Sequence, residues 1–277
     1  MRRSGGTSMR VAFQGEKGAY SEEAIYKHYK TDAVSVPRPY LKDVFDAVEA
    51  GEADYGMVPV ENTIQGSIVR AYDLLNERGV KASGEEIHRI SHCLIAHPDA
   101  ELADIKKAYS HPQALGQSRE WLEKHGIEAV NFYDTAGSVK WIKENDVKDA
   151  AGVASAQAAE TYGMKILAKG IETNPENYTR FIEIGYKEPE PTGVDKTILA
   201  FIVQHRPGTL VGALKEFSER GVNLEKIESR PRVGKPWEYI FFIEIAGHIK
   251  DDVILEALEG LKDHTLYLKH LGSYSRA

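Results

Sequence analysis

The sequence holds one cysteine, Cys93, among 277 residues, which excludes an intrachain disulfide framework and fits a reducing compartment, most simply the cytoplasm. It has no apolar run near the roughly 20 residues that span a bilayer, so no membrane partner is expected. It has no basic excess: 35 Lys and Arg stand against 42 Asp and Glu, a net charge of −7. Nucleic-acid binders present a basic face, so nucleic acid is not an expected partner either. The segment before Met9 carries Arg2 and Arg3 with no apolar stretch behind them. It therefore does not read as a secretory signal but as a disordered extension, with Met9 an alternative start. Gly15-Glu16-Lys17-Gly18 fits neither a P-loop nor a dinucleotide fingerprint. His88 and His92 are four apart, yet the segment has strand character and no third ligand stands beside it, so no metal is expected. Cys93 sits in an apolar run and reads as packing rather than as a nucleophile.

What is present is ordinary globular composition, 42% hydrophobic and 28% charged, with length for two domains. In the first part, strand-like segments (9–13, 54–60, 87–96, 105–110, 150–154) alternate with helical ones (from Ser21, 41–50, from Ile64 toward Leu75, from Pro112 through Trp121 to His125, from Ala136, 156–162). That alternation predicts an α/β domain with mostly parallel pairing over 9–186. Residues 187–196 fall in a Pro-, Gly- and acid-rich stretch and read as a linker. Residues 197–277 follow the order βαββαβ, the ferredoxin-like plan. Its helix near Asp251–Leu261 shows an apolar face of Ile254, Ala257, Leu258 and Leu261.

Polar, mostly uncharged clusters recur where strands hand over to helices: Gly18–Ser21, Glu61–Thr63, Ser110–Gln113, Asp134–Thr135 and Asn177–Arg180. Each alone is an ordinary helix cap. Together they suit a ligand crevice at strand ends, where backbone N–H groups receive carboxylates. Val58-Pro59-Val60-Glu61-Asn62-Thr63, Ser110-His111-Pro112-Gln113-Ala114-Leu115-Gly116-Gln117, Asp134-Thr135-Ala136 and Asn177-Tyr178-Thr179-Arg180-Phe181 resemble the VPVENS, SHPQAL-x-Q, DTA and N-x-TRF motifs of prephenate dehydratases. Gly15–Ser21 resembles their GP-x-GTFS, with Glu16, Ala19 and Tyr20 in place of Pro, Thr and Phe. Leu210-Val211-Gly212-Ala213-Leu214 and Glu228-Ser229-Arg230-Pro231 resemble the GAL and ESRP motifs of an attached ACT domain.

The resemblance implies a fold like the type II periplasmic binding proteins, with one lobe about 9–82 and 170–186 and the other about 83–169. It implies that prephenate loses carbon dioxide and water to give phenylpyruvate, with no metal or organic cofactor. Thr179 is then the candidate hydrogen-bond donor to the departing hydroxyl. Ser21, Asn62, Thr63, Ser110, Gln113, Thr135 and Phe181 bind or wall the substrate. Arg180 either neutralises a carboxylate or makes a structural ion pair. In the ACT domain, Leu210, Val211, Gly212, Ala213, Leu214, Glu228, Ser229, Arg230 and Pro231 are expected to bind L-phenylalanine and couple it to catalysis, in a homodimer or homotetramer. Arogenate dehydratase, the same elimination on the amino-acid analogue, is the near rival. A non-catalytic metabolite sensor is the distant one.

Overall fold

The computed structural model describes residues 8–30, 33–232 and 234–277. The extension expected before Met9 lies outside the described residues, apart from Ser8. In chain order the elements are β1 Met9–Gln14, α1 Tyr20–Tyr29, β2 Ala33–Arg38, α2 Leu41–Glu49, β3 Tyr55–Asn62, β4 Gly66–Ser67, α3 Val69–Glu77, β5 Lys81–Arg89 and β6 Cys93–Ala96. There follow β7 Lys107–Ser110, α4 Pro112–Gln117, α5 Arg119–Lys124, β8 Glu128–Asn131, α6 Thr135–Glu144, β9 Ala150–Ala154, α7 Ala156–Tyr162, β10 Lys165–Lys169 and β11 Tyr178–Gly185. Last come β12 Asp195–Val203, α8 Thr209–Ser218, β13 Leu224–Pro231, β14 Tyr239–Ala246, α9 Asp252–Lys262 and β15 Thr265–Ser275. The chain forms two compact units: one from the residues up to Ile68 with Glu86–Phe181, the other from Val69–Glu85 with Ile182–Ala277.

The first unit is built on two sheets. In one, β1 pairs in parallel with β2 and β3, and β11 lies on the other side of β3. The other has the order β10-β6-β9-β7-β8, parallel through β9, β7 and β8 and antiparallel at β6 and β10. Val11, Phe13, Met57 and Phe181 from the first sheet share a core with Ile95, Val139 and Ala154 around the second. Cys93 is packed in the same core, and burial raises its thiol to about 11. Leu94, Ala108, Leu122 and Val153 fill the second sheet's other face. Side-chain caps place the helix starts: Asp134 accepts from Gly137 N at 2.7 Å, and Ser155 accepts from Ala158 N at 3.1 Å.

Four local readings change. The segment after Asn62 does not open a helix at Ile64; it turns into the β3–β4 hairpin, and the helix begins at Val69. Asn62 Oδ1 accepts both Ile64 N (3.0 Å) and Gln65 N (3.1 Å), as a helix cap would, but Gly66 at φ 81° leaves the helical region and β4 pairs back on β3, so the chain closes a hairpin instead. The apolar run Ile87–Ala96 is two strands, broken at Ile90–His92. The helix from Pro112 breaks at Ser118 into α4 and α5. Thr179, Arg180 and Phe181 lie inside a strand, β11, rather than at a handover to a helix.

In the second unit the strand order β13-β14-β12-β15 is that of the ferredoxin-like plan. Helices α8 and α9 bury Ala213, Phe217, Ile254, Ala257 and Leu261 with Leu199, Phe201, Ile243 and Ile245 of the sheet. Helix α3 belongs to this unit too. Its Tyr72 donates to Glu244 at 2.6 Å and packs its ring near Phe242, and its Asp73 pairs with Arg230 at 2.9 Å. Lys269 Nζ donates to the carbonyls of Leu75, Asn76 and Arg78 at 3.3, 2.6 and 2.9 Å. A cation there answers the negative end of the helix.

Candidate active site

A cavity of about 220 Å³ in the first unit is lined by Tyr20, Ser21, Pro59, Asn62, Ile68, Ile90, His92, His111, Gln113, Ala114, Gln117, Asp134, Thr135, Thr179 and Phe181. It draws on α1, the end of β3, the β5–β6 break, α4, the start of α6, and β11. Among the described residues no lysine or arginine lines it. Asp134 is the one carboxylate among its described lining residues; burial pushes that carboxyl up, opposed by the N–H of Gly137.

Thr179 is 8% exposed and lines this cavity. Its position follows from its strand, where alternate side chains face opposite ways. Its hydroxyl orientation follows from Asn62. The two backbone N–H groups on Asn62 Oδ1 only donate, so the Asn62 amide nitrogen must face the other way. There it donates to Asn177 Oδ1 (2.9 Å), Tyr178 O (3.1 Å) and Thr179 Oγ1 (3.1 Å). Thr179 Oγ1 therefore accepts from Asn62, and its own hydrogen is available to a ligand.

The remaining expected residues divide. Ser21, Asn62, Gln113, Thr135 and Phe181 line the cavity with Thr179. Ser110 does not: it is fully buried, and its hydroxyl donates to Val153 O at 2.6 Å. Thr63 does not either: its exposed hydroxyl donates to Glu176 O (2.8 Å) and accepts from Tyr178 N (2.9 Å), latching the hairpin to β11. Arg180 is absent from the lining and donates to Glu61 Oε2 through Nε (3.2 Å) and through its terminal guanidinium nitrogen Nη2 (2.9 Å), which is the ion-pair alternative.

Two lining residues, Gln117 and His92, are not among the site residues expected from the sequence. Gln117 follows Gln113 by four on α4, a spacing that puts both on one helix face. Its Oε1 accepts from Asn177 Nδ2 at 3.1 Å and meets His92 Nε2 at 2.7 Å, while its Nε2 is buried with no partner among the described residues. His92, 2% exposed, is no partner of His88, whose ring meets Glu23 at 2.8 Å. Among the described residues no group of three or more His, Cys, Asp or Glu is placed to hold a metal ion.

Residues 11–189 match the prephenate dehydratase family, and residues 197–263 match the ACT domain. The chain belongs to the prephenate dehydratase family. It is 40% identical over 271 residues to a bifunctional chorismate mutase/prephenate dehydratase of Aquifex aeolicus, covering 97% of this chain and 74% of that protein. It is 38% identical to arogenate dehydratase/prephenate dehydratase 2 of Arabidopsis thaliana, covering 98% of this chain and 74% of the relative. Among solved structures it resembles a prephenate dehydratase from Arthrobacter aurescens in complex with L-Phe (TM-score 0.89, 34% identity, 97% and 90% of the two chains). It is equally similar to a protein described as GqqA, a novel type of quorum quenching acylase (TM-score 0.90, 32% identity, 97% and 98%).

In the ACT part, a second cleft of about 520 Å³ is lined by residues 203–211 together with Glu238, Tyr239, Phe241 and Leu266, so it includes Leu210 and Val211. Gly212, Ala213 and Leu214 do not line it. A Cβ on Gly212 would meet the His264 ring at 2.9 Å, and Ala213 is buried in the helix–sheet core. Glu228, Ser229, Arg230 and Pro231 lie on β13, paired with β14. No helix among the described residues is long and apolar enough to cross a membrane.

Proposed function

We propose that this chain eliminates water and carbon dioxide from prephenate to give phenylpyruvate, and that L-phenylalanine acts on it through the ACT domain. The observation that carries the reading is the Asn62–Thr179 pair. One hydroxyl, with one of its two lone pairs taken by Asn62, presents its hydrogen in a small cavity with an apolar wall. Aromatisation supplies the driving force, but hydroxide is a poor leaving group. A fixed donor aimed at the departing oxygen stabilises the charge that develops there. Positioning does the rest, since Ser21, Gln113 and Gln117 supply neutral hydrogen-bonding groups around the ring and its carboxylates. Ile68, Ile90 and Phe181 supply the apolar wall.

The deciding assay is formation of phenylpyruvate, followed by absorbance, when purified protein meets prephenate. Arogenate is run beside it. The relative that carries both names keeps arogenate as the second reading. A higher kcat/KM with arogenate would exchange the two readings, and turnover of neither would remove both.

For regulation, the cleft beside Leu210 and Val211 is walled by Phe241 and Leu266, surfaces suited to a benzyl side chain. Val211, Leu266 and Trp237 are exposed, and the proposed assembly covers such groups in a homodimer or a pair of dimers. Arg230 reaches the catalytic-family segment through Asp73 on α3. Arg230→Ala is expected to move the phenylalanine inhibition curve to higher concentration, within the roughly 5–150-fold range of allosteric couplings. An inhibition curve that does not move would remove Arg230 from the coupling. The single cysteine, buried as a thiol, supports a cytoplasmic setting.

A further inference from the structure

We infer that His92, held as the neutral Nε2–H tautomer, is a positioning residue that turns the amide nitrogen of Gln117 toward the substrate. The inference rests on the reading of this cavity as a prephenate site. Its logic is a chain of donors and acceptors with one fixed end. The N–H groups of Ile64 and Gln65 fix Asn62 Oδ1 as an acceptor. Asn62 Nδ2 then faces Asn177 Oδ1, at 2.9 Å. Asn177 must therefore present its own amide nitrogen to Gln117, which answers with Oε1 at 3.1 Å. That same oxygen lies 2.7 Å from His92 Nε2, so the ring must carry its hydrogen there. His92 Nδ1 is then bare and accepts from the Tyr20 hydroxyl at 2.6 Å, the shorter of that hydroxyl's two contacts, the other being Ser91 O at 3.1 Å.

Each bond leaves the next group one choice. The consequence falls on Gln117 Nε2, whose two hydrogens have no partner among the described residues, in a side chain that lines the cavity. A buried donor left alone is costly, so a ligand oxygen is the partner that relieves it. Burial lowers the His92 pKa, and Gln117 and Glu172 raise it; the first is the larger effect and keeps the ring neutral. Glu172 accepts the backbone N–H of His92 at 2.8 Å and holds the segment from the other side.

The test uses two variants of the full chain that split the ring's two bonds. In His92→Gln the new amide nitrogen stands where Nε2 stood and keeps the donor to Gln117. In His92→Asn the shorter side chain can keep Tyr20's acceptor but cannot reach Gln117. Loss of one hydrogen bond to an anionic substrate corresponds to roughly 10–100-fold in KM. We expect that rise for His92→Asn, with kcat within about threefold, because the bond is made in the ground state as well as the transition state. His92→Gln should stay within about threefold of wild type on both constants. Nitrogen-15 spectra of the wild-type ring should show Nε2 protonated and Nδ1 bare. Equal KM values for the two variants, or a proton on Nδ1, would overturn the assignment. Failure of wild type to act on prephenate would sink the proposed function instead, and the ring spectrum would still decide the tautomer.

Discussion

Thr179→Ala is expected to fold normally and to lose roughly 10²–10³ in kcat, the usual cost of removing one donor to a developing oxyanion. That loss corresponds to about 2.7–4 kcal/mol of transition-state stabilisation. Loss of the hydroxyl and the γ-methyl on a strand keeps the backbone pairing, and Asn62 retains Asn177 and Tyr178 as acceptors. Stability should therefore move little. Thr179→Ser keeps the hydroxyl but frees its rotation, so part of the rate should survive. Steady-state kinetics on prephenate, with thermal melts as the folding control, distinguish these outcomes. Turnover by the Ala variant close to wild type would take Thr179 out of the chemistry.

The second large effect is expected from Asn62→Asp, a substitution that changes shape hardly at all. One introduced oxygen can still accept from Ile64 N and Gln65 N. The other would stand where the amide nitrogen now donates to three oxygens. Thr179 would meet an acceptor instead of a donor, and its hydrogen would turn from the cavity to the new carboxylate. The rate should fall on the order of 10²-fold or more, as if the hydroxyl had been removed. Asn62→Asp combined with Thr179→Ala should then be little worse than either change alone, because both delete one function. Fully additive losses in that double variant would show that the two residues act separately.

These arguments use contacts of two kinds, and the sequence displays only one. The strands and helices of the ACT part follow from periodicity, since each apolar face meets the same sheet. Short motifs point to Asn62, Gln113 and Thr179 because those residues sit within recognisable local patterns. Patterns do not say which polar residue of a motif faces a ligand. Ser110 and Thr63 are as motif-like as Asn62, yet one holds Val153 O and the other staples the hairpin to β11. His92 is illegible for a further reason. Its partners Tyr20 and Gln117 lie 72 and 25 residues away, and its strand-like neighbours conceal the break in which it sits. The helix expected from Ile64 fails on a similar point, because the turn that Asn62 caps is closed into a hairpin by Gly66, whose φ of 81° no helix contains.

Helix α3 lies within the stretch that matches the catalytic family, yet its company is the other unit's sheet: Tyr72 with Glu244, Asp73 with Arg230, and Lys269 across its last carbonyls. A polypeptide severed at the family boundary, residue 189, would strip this helix of all three attachments at once. The ACT part is thus also a scaffold, and amputating it would leave a bared tyrosine and an uncapped helix a few residues downstream of Asn62.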